Sequence, residues 1–487
     1  MESQESQLHF VLFPLMSPGH MLPMIDIATT LTQQNNIIVT IVTTPHNASR
    51  FSQIHHKIRV LQLQFPSQDA GFPEGCENFD MLPSMSMGYS FFAAANKLLQ
   101  QQAEQAFEKL TPKPNCIISD VGFPYTSQIA NKFGIPRISF YGVSCFCLVW
   151  QQKVIISNVM EKIATDSEYF LIPDIPHKIQ ITKAQPPSSS DDGNWKEFVD
   201  KMAAAEMISY GVIVNSFEEL EPEYVSDLKK TRNGKVWCVG PVSLRNKNHS
   251  DMAQRGKNNK VASSNDVENC LKWLDLQESN SVIYVCLGSI CNLTSLQFIE
   301  IGMALEACER PFIWVIRERN QTEELNNWIK ESSFEERTKE KGFLIKGWAP
   351  QVLILSHPAI GGFLTHCGWN STLEAICTGV PMITWPLFGD QFFNERFVID
   401  VLRVGVMVGV ESPVNWGEEE NVGVLVKKED VERAIEKLMD CASYESEERR
   451  KRAKEVAEMA KRCVEEGGSS QLNVSLLIQD ILQLSTK

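Results

Sequence analysis

Residues 348–391 read WAPQVLILSHPAIGGFLTHCGWNSTLEAICTGVPMITWPLFGDQ. The apolar run Gly361–Thr365 predicts a buried strand, and a glycine-containing turn follows it. A helix is expected to begin near Asn370 or Ser371, which are good N-cap residues, and to end at Gly379, a residue that suits the left-handed C-cap. This order predicts an anion site, because free backbone N–H groups and the helix dipole favour negative charge there.

Polar and aromatic side chains surround this turn. Glu374 lies one helical turn beyond Ser371, where a carboxylate is placed to accept from paired ribose hydroxyls. Trp348 offers a flat face to a uracil ring. The residues expected to face a nucleotide sugar are Trp348, His366, Gly368, Asn370, Ser371, Glu374, Asp390 and Gln391.

Strand-length apolar runs alternate with helical patterns on both sides of residue 250. The predicted strands are His9–Pro14, Ile37–Val42, Asn115–Ser119, Pro136–Tyr141, Gly211–Asn215, Val282–Leu287, Pro311–Ile316, Gly342–Lys346, Gly361–Thr365 and Pro381–Pro386. Such alternation predicts an α/β fold with doubly wound parallel sheets. Two Rossmann-like halves around one cleft is the simplest architecture.

A polar segment separates the two halves. Arg245–Ser264 is rich in Asn, Lys, Ser and Gly and has almost no large apolar residue, which indicates an exposed linker. The predicted organisation is an acceptor-binding domain over 1–245, a linker over 246–265, a donor-binding domain over 266–465, and a terminal helix over 466–487 that packs back on the first domain.

Two residues of the first half suit proton transfer. His20 follows the first predicted strand, and Asp120 follows the third. Both lie at carboxyl ends of parallel strands, where doubly wound sheets hold their ligands. A neutral imidazole is the natural general base near pH 7, and a carboxylate on its far nitrogen would orient it.

The bulk composition excludes several classes of partner. The 487 residues carry a net charge of −14, which disfavours nucleic acid and anionic membranes. No apolar run is long enough to span a membrane, and no basic, apolar secretion signal begins the chain. The 13 cysteines form no CxxC pair; with no DxD-like pair at a suitable loop, we expect no metal. A cytoplasmic monomer is the expectation.

Residues 348–391 resemble, without a gap, the nucleotide-sugar motif of plant secondary-product UDP-glycosyltransferases, which have the GT-B fold. The resemblance extends over nearly the whole chain, including Pro18–His20 and Asn215–Glu221. It implies uracil contacts from Trp348 and Ala349, ribose contacts from Gln351 and Glu374, diphosphate contacts from Ser289, His366, Gly368, Asn370 and Ser371, and sugar contacts from Trp369, Asp390 and Gln391. It also implies His20 as base and Asp120 as its partner.

The implied reaction inverts the anomeric carbon and moves glucose from UDP-glucose, a co-substrate, to a hydroxyl or carboxyl of a small lipophilic plant metabolite. In this family a glutamine at the position of Gln391 goes with glucose. The chain resembles the clade acting on triterpenoid sapogenins, steroids and flavonoids, so a sapogenin is the first acceptor expected. Expected pocket residues are Phe123, Phe140, Tyr141, Phe146 and Phe388.

The sequence argues against two other functions and leaves other substrates open. A binding protein without catalysis would lack His20 or Asp120, and both are present. A nicotinamide oxidoreductase would carry a GxGxxG turn after its first strand, whereas the chain has Met16–His20 there. A flavonoid or isoflavonoid glucosyltransferase remains open, as does a sapogenin transferase that uses UDP-galactose or UDP-glucuronate.

Overall fold

The computed structural model describes residues 7–51, 57–186, 193–245, 264–291, 293–415 and 417–486. All but the last two residues of the predicted linker, 246–265, lie outside these ranges. Contacts divide the chain into two compact units. The first comprises Met1–Cys145, Ser189–Asn246 and Arg462–Lys487, and the second comprises Phe146–Ser188 and Lys247–Lys461. Residues 146–188, which the sequence analysis assigns to the first domain, group with the second unit.

In chain order the strands are β1 (Leu8–Phe13), β2 (Ile37–Thr43), β3 (Ile58–Gln62), β4 (Cys116–Asp120), β5 (Arg137–Tyr141), β6 (Tyr169–Leu171), β7 (Gln180–Thr182), β8 (Gly211–Val214), β9 (Val236–Cys238), β10 (Val282–Cys286), β11 (Phe312–Ile316), β12 (Gly342–Lys346), β13 (Ile360–Thr365), β14 (Met382–Thr384) and β15 (Gly405–Met407).

The α-helices are α1 (Pro18–Thr32), α2 (Pro45–Ala48), α3 (Gly88–Glu108), α4 (Thr126–Phe133), α5 (Cys145–Ser157), α6 (Gly193–Met207), α7 (Pro222–Thr231), α8 (Ser264–Asp275), α9 (Ser295–Ala307), α10 (Glu323–Glu331), α11 (Phe334–Thr338), α12 (Gln351–Leu355), α13 (Trp369–Thr378), α14 (Gln391–Arg396), α15 (Glu419–Val422), α16 (Lys428–Met439), α17 (Tyr444–Val464) and α18 (Ser469–Ser485). A π-helical segment, Phe397–Leu402, continues α14. None of the helices in the described part of the chain is long and apolar enough to cross a membrane.

A seven-stranded parallel sheet of order β3-β2-β1-β4-β5-β8-β9 lies at the centre of the first unit. Every residue of β1 is buried, as expected for a parallel strand covered on both faces. Apolar side chains of β1, β2 and α1 share one core with Val474, Leu477 and Ile481 of α18. The terminal helix therefore belongs to the hydrophobic core of the first unit.

The second unit has a six-stranded parallel sheet of order β12-β11-β10-β13-β14-β15. Its core gathers residues of β10, β11 and β14 with helices α9 and α16. Strands β6 and β7 form a separate antiparallel pair. The two parallel sheets confirm the predicted doubly wound α/β fold.

Helix α1 begins at Pro18, because proline is favoured in the first helical turn. Helix α13 begins at Trp369 with Gly368 as its N-cap and no side-chain cap, so the prediction of Asn370 or Ser371 as N-cap is wrong. The predicted end is confirmed, since Gly379 has φ +72°.

Candidate active site

The first unit contains a histidine–carboxylate pair. Strands β1 and β4 are parallel neighbours with Phe13 opposite Ser119, so their carboxyl ends lie side by side. Asp120 is the last residue of β4, and His20 lies in the first turn of α1. His20 Nδ1 is 2.6 Å from Asp120 Oδ2. The structure thus brings together two residues that are 100 positions apart in the sequence.

The surroundings of Asp120 fix the direction of this hydrogen bond. The carboxylate is fully buried, while the His20 side chain is 34% exposed. Its other oxygen, Oδ1, accepts from the Gly122 backbone N–H at 2.9 Å. Because an ionised carboxylate only accepts, His20 Nδ1 carries the proton and Nε2 carries the lone pair of the neutral ring.

In the second unit, a short turn joins β13 to α13. Cys367 adopts φ +63°, an uncommon left-handed conformation for a residue other than glycine. The turn after β10 lies beside it, since Cys286 pairs with Thr365 in the parallel register. Gly288, in that neighbouring turn, has φ +83°. Two loops therefore meet at the N-terminus of α13, where the helix dipole favours an anion.

The His366 imidazole fills the space between these two turns. A Cβ atom on Gly288 would lie 2.6 Å from His366 Cε1 and Nε2, and one on Gly368 would lie 2.4 Å from Nε2. Both positions therefore require glycine while the ring stays in place. His366 is only 9% exposed.

His366 is uncharged at neutral pH. Burial, together with the nearby Arg317 charge, lowers the pKa of His366 to about 4. Its Nδ1 atom is buried and has no hydrogen-bond partner among the residues that the structure describes. A neutral ring offers an anion one N–H donor and leaves most of the positive potential to the helix terminus.

Gln351 forms hydrogen bonds with two side chains of α13. Its Nε2 atom donates to Glu374 Oε2 at 2.8 Å and to Ser371 Oγ at 3.0 Å. Glu374 and Ser371 lie on α13, and each is only 8% exposed. A side chain from one helix therefore orients the two predicted ligands on another.

Gln391 presents only one half of its amide. Its Oε1 accepts from the backbone N–H groups of Leu387 at 2.8 Å and Phe388 at 3.2 Å. The NH₂ group is the part left to donate to a ligand. Gln391 is the first residue of α14 and Asp390 is its N-cap.

Arg317 was not among the predicted site residues. Arg317 directly follows β11, at the same sheet edge as the turns after β10 and β13. Its Nη1 atom lies 3.4 Å from the carbonyl oxygen of Gly347, the residue before Trp348. Trp348 is half-buried and Ala349 is buried. The rule that found Asp120, a polar residue directly after a predicted strand, would also have found Arg317 after Pro311–Ile316.

Comparisons with known proteins identify the family of the chain. Residues 256–450 match the family model "UDP-glucoronosyl and UDP-glucosyl transferase". UDP-glycosyltransferase 73C3 of Arabidopsis thaliana is 53% identical over 98% of this chain and 97% of its own length. The crystal structure of Glycyrrhiza uralensis UGT73P12, complexed with glycyrrhetinic acid 3-O-monoglucuronide, superposes with a TM-score of 0.87 at 34% identity, covering 99% of this chain and 97% of that one.

The chain belongs to the plant family 1 UDP-glycosyltransferases. It is therefore a glycosyltransferase that uses a UDP-sugar, and its fold is GT-B. The crystal structure of Medicago truncatula UGT71G1 complexed with UDP-glucose has the same fold, with a TM-score of 0.77 at 24% identity over 99% of this chain and all of that one.

The predicted acceptor residues of this transferase lie in different environments. Phe140 is fully buried within the core around β1 and α1. Phe146 is fully buried and stacks on Phe397 with ring centroids 5.2 Å apart. The Tyr141 hydroxyl donates to Glu206 at 2.8 Å. Phe123 is buried against Tyr125, and Phe388 is half-buried at the edge of the second core. Their acceptor role stays a prediction.

Among the described residues of the transferase, no group of three or more His, Cys, Asp or Glu side chains is placed to hold a metal ion. The roles assigned to the donor residues likewise remain predictions from the resemblance. What the structure adds is a physical arrangement that suits them: a helix terminus, a neutral imidazole and a buried carboxylate held by an amide.

Replacement of Gly288 by alanine should weaken UDP binding. The new Cβ would lie 2.6 Å from the His366 ring, and the ring must move away from the diphosphate turn. Overpacking of this kind costs about 1–3 kcal/mol, which corresponds to about a 5- to 150-fold rise in the Kd for UDP. Titration calorimetry with UDP measures it.

Gly423→Ala is the matched control for this experiment. Gly423 also has a left-handed φ, +66°, but a Cβ there meets nothing within 4 Å. Both variants should lose some stability through backbone strain, and only Gly288→Ala should lose UDP affinity. Wild-type affinity in Gly288→Ala would contradict the account of His366.

Proposed function

We propose that the enzyme transfers glucose from UDP-glucose to a hydroxyl or carboxyl oxygen of a small lipophilic plant metabolite, with a triterpenoid sapogenin as the leading acceptor. The observation that carries the catalytic part is the hydrogen bond between His20 Nδ1 and the buried carboxylate of Asp120. A partly exposed imidazole with an oriented lone pair on Nε2 is suited to general base catalysis.

The proposed step moves one proton and exchanges one bond. His20 Nε2 takes the proton from the acceptor hydroxyl as its oxygen attacks the anomeric carbon from the face opposite UDP. The bond between that carbon and the diphosphate oxygen breaks, and the configuration inverts from α to β. Asp120 stabilises the imidazolium, while the N-terminus of α13 and His366 stabilise the departing diphosphate. These residues supply the stabilisation without a metal ion.

Gln391 is the residue on which the choice of glucose rests. Its oxygen is held by two backbone N–H groups, so it acts toward the sugar as a donor. Resemblance to the family associates glutamine at this position with glucose. UDP-galactose and UDP-glucuronate remain the alternative donors, and the second would need a cation near the sugar carboxylate.

A group of aromatic rings supports a lipophilic acceptor. Tyr89 and Phe92 on α3 lie against Trp195 on α6, with centroids 4.4 Å and 6.2 Å away. Phe198 stacks on Phe92 and contacts Trp195 at 5.3 Å. Tyr89, Phe92 and Trp195 are half-buried, so they leave part of their apolar faces exposed.

Hydrogen bonds connect this aromatic group to the catalytic pair. On α3, Asn96 Nδ2 donates to the Gly122 carbonyl at 2.9 Å and to the Phe92 carbonyl at 3.0 Å. Gly122 is the residue whose N–H is bonded to Asp120. Phe92 is therefore one helical turn from a contact with the Asp120 loop, and we propose that the aromatic group forms a wall of the acceptor site.

The glycyrrhetinic acid 3-O-monoglucuronide bound to Glycyrrhiza uralensis UGT73P12 also supports a sapogenin acceptor. Flat flavonoids and isoflavonoids are the second candidate class, since aromatic rings favour stacked arrangements with planar partners. One experiment separates the donors and the acceptors together.

Purified enzyme should be incubated with UDP-glucose, UDP-galactose and UDP-glucuronate in parallel, each with a panel of triterpenoid aglycones and flavonoids. We expect a hexose added from UDP-glucose to a triterpenoid aglycone, detected by mass spectrometry. His20→Ala should lower kcat by about 10²- to 10⁴-fold, the usual contribution of a general base.

His357→Ala is the control, because His357 also pairs with a carboxylate, Asp275, at 3.2 Å but has no proposed catalytic role. It should keep near wild-type kcat. Product formed only from another donor would refute the glucose assignment. Product formed only on flavonoids would refute the sapogenin assignment. Full activity in His20→Ala would refute His20 as the base.

Trp195→Ala tests the proposed acceptor wall. Loss of the indole removes apolar contact worth about 1.5–3 kcal/mol, so the KM for a lipophilic acceptor should rise about tenfold or more at an unchanged Kd for UDP-glucose. Trp273→Ala is the matched control. Like Trp195, Trp273 is half-buried and packs against an aromatic side chain, Phe343, with ring centroids 5.8 Å apart. Equal acceptor KM values in the two variants would refute the assignment.

A further inference from the structure

Asn394 forms hydrogen bonds with two residues in the turns that hold the predicted donor-binding residues. It is on α14 and is fully buried. Its amide nitrogen donates to the Cys367 carbonyl oxygen at 2.9 Å and to Asp390 Oδ2 at 2.7 Å. One NH₂ group therefore uses its two hydrogens on two acceptors.

These two acceptors belong to the two turns that face different parts of the donor. Cys367 is the left-handed residue of the turn after β13, which faces the diphosphate. Asp390 ends the loop after β14, which faces the sugar. Parallel pairing of β13 with β14 sets the two loops side by side, and Asn394 is the side chain that bonds to both.

We propose that Asn394 is a positioning residue that fixes the Asp390 carboxylate relative to the diphosphate turn. The inference rests on the proposed donor site, in which Asp390 accepts from sugar hydroxyls. The sugar and the diphosphate are covalently joined, so the two turns must keep one spacing for both to be bound. Displacement of a contact by about 1 Å is enough to cost roughly a hundredfold in rate.

Asp390 also needs a fixed direction. A carboxylate has several lone-pair sites, and the bond to Asn394 occupies one on Oδ2. That bond restricts the rotation of the carboxylate. An aliphatic residue at position 394 would leave the backbone largely in place but would remove the bonds to both Asp390 and the Cys367 carbonyl.

The test compares the binding of UDP and UDP-glucose to Asn394→Ala by titration calorimetry. We expect the affinity for UDP-glucose relative to UDP to fall about tenfold, as for the loss of a hydrogen bond to a charged group. A role in stability alone would change both affinities by the same factor and leave the ratio at its wild-type value, which would overturn the inference.

Asn473→Ala is the matched control. Asn473 is almost fully buried, and its amide nitrogen likewise donates to a carboxylate, Glu218 at 2.8 Å, and to a backbone carbonyl, Ser469 at 2.9 Å. Asn473 lies in the first compact unit, whereas the predicted donor-binding residues lie in the second. It should lower stability by a similar amount and leave the ratio unchanged.

A double-mutant cycle with Asp390→Asn separates this inference from the donor site on which it rests. If Asn394 acts through Asp390, the double variant should have about the same ratio as Asp390→Asn alone. An unchanged ratio in Asp390→Asn would refute the donor site itself. If the ratio is lowered in Asp390→Asn but stays at the wild-type value in Asn394→Ala, only the role of Asn394 is refuted. The same holds if the effects of the two substitutions on the ratio are strictly additive.

Asn394→Ser serves if the alanine variant does not fold. Its hydroxyl donates a single hydrogen bond, so it can satisfy only one of the two acceptors. The ratio should fall by less than in the alanine variant, and a wild-type ratio would again overturn the inference.

Discussion

Parallel pairing brings the carboxyl ends of neighbouring strands to one edge of a sheet, and the candidate site residues of each unit depend on this constraint. In the first sheet the register of β1 with β4 brings His20 to Asp120. In the second, the register of β10 with β13 brings the Gly288 turn against His366. Residues far apart in sequence thus meet at the edges of the two sheets.

The donor half shows how an acidic chain holds an anion. The net charge of −14 gives no general attraction for a diphosphate, so local groups must supply it. We propose that they are the N-terminus of α13, the neutral His366 and side-chain donors, with buried hydrogen bonds from Gln351 and Asn394 orienting Glu374 and Asp390. Groups fixed before the ligand arrives need little reorganisation, which is the main source of electrostatic catalysis.

Sequence patterns predicted the sheets and the His20–Asp120 pair, because buried parallel strands are apolar throughout and their carboxyl ends are easy to locate. They did not predict the N-cap of α13: Asn370 has a favoured residue type, but Gly368 is required beside the His366 ring. Asn394 was missed because it lies three residues beyond the recognised motif and acts through contacts with Cys367 and Asp390. Such contacts appear only once the loops are folded.

The most direct test of the account is the turnover number of Asp120→Asn, measured together with its Kd for UDP-glucose. The amide would keep an oxygen for the Gly122 N–H but would present NH₂ to His20 Nδ1, which moves the ring proton to Nε2 and removes the basic lone pair. We predict that kcat falls about 10²- to 10⁴-fold at an unchanged Kd for UDP-glucose. A kcat close to that of the wild type would contradict the His20–Asp120 mechanism.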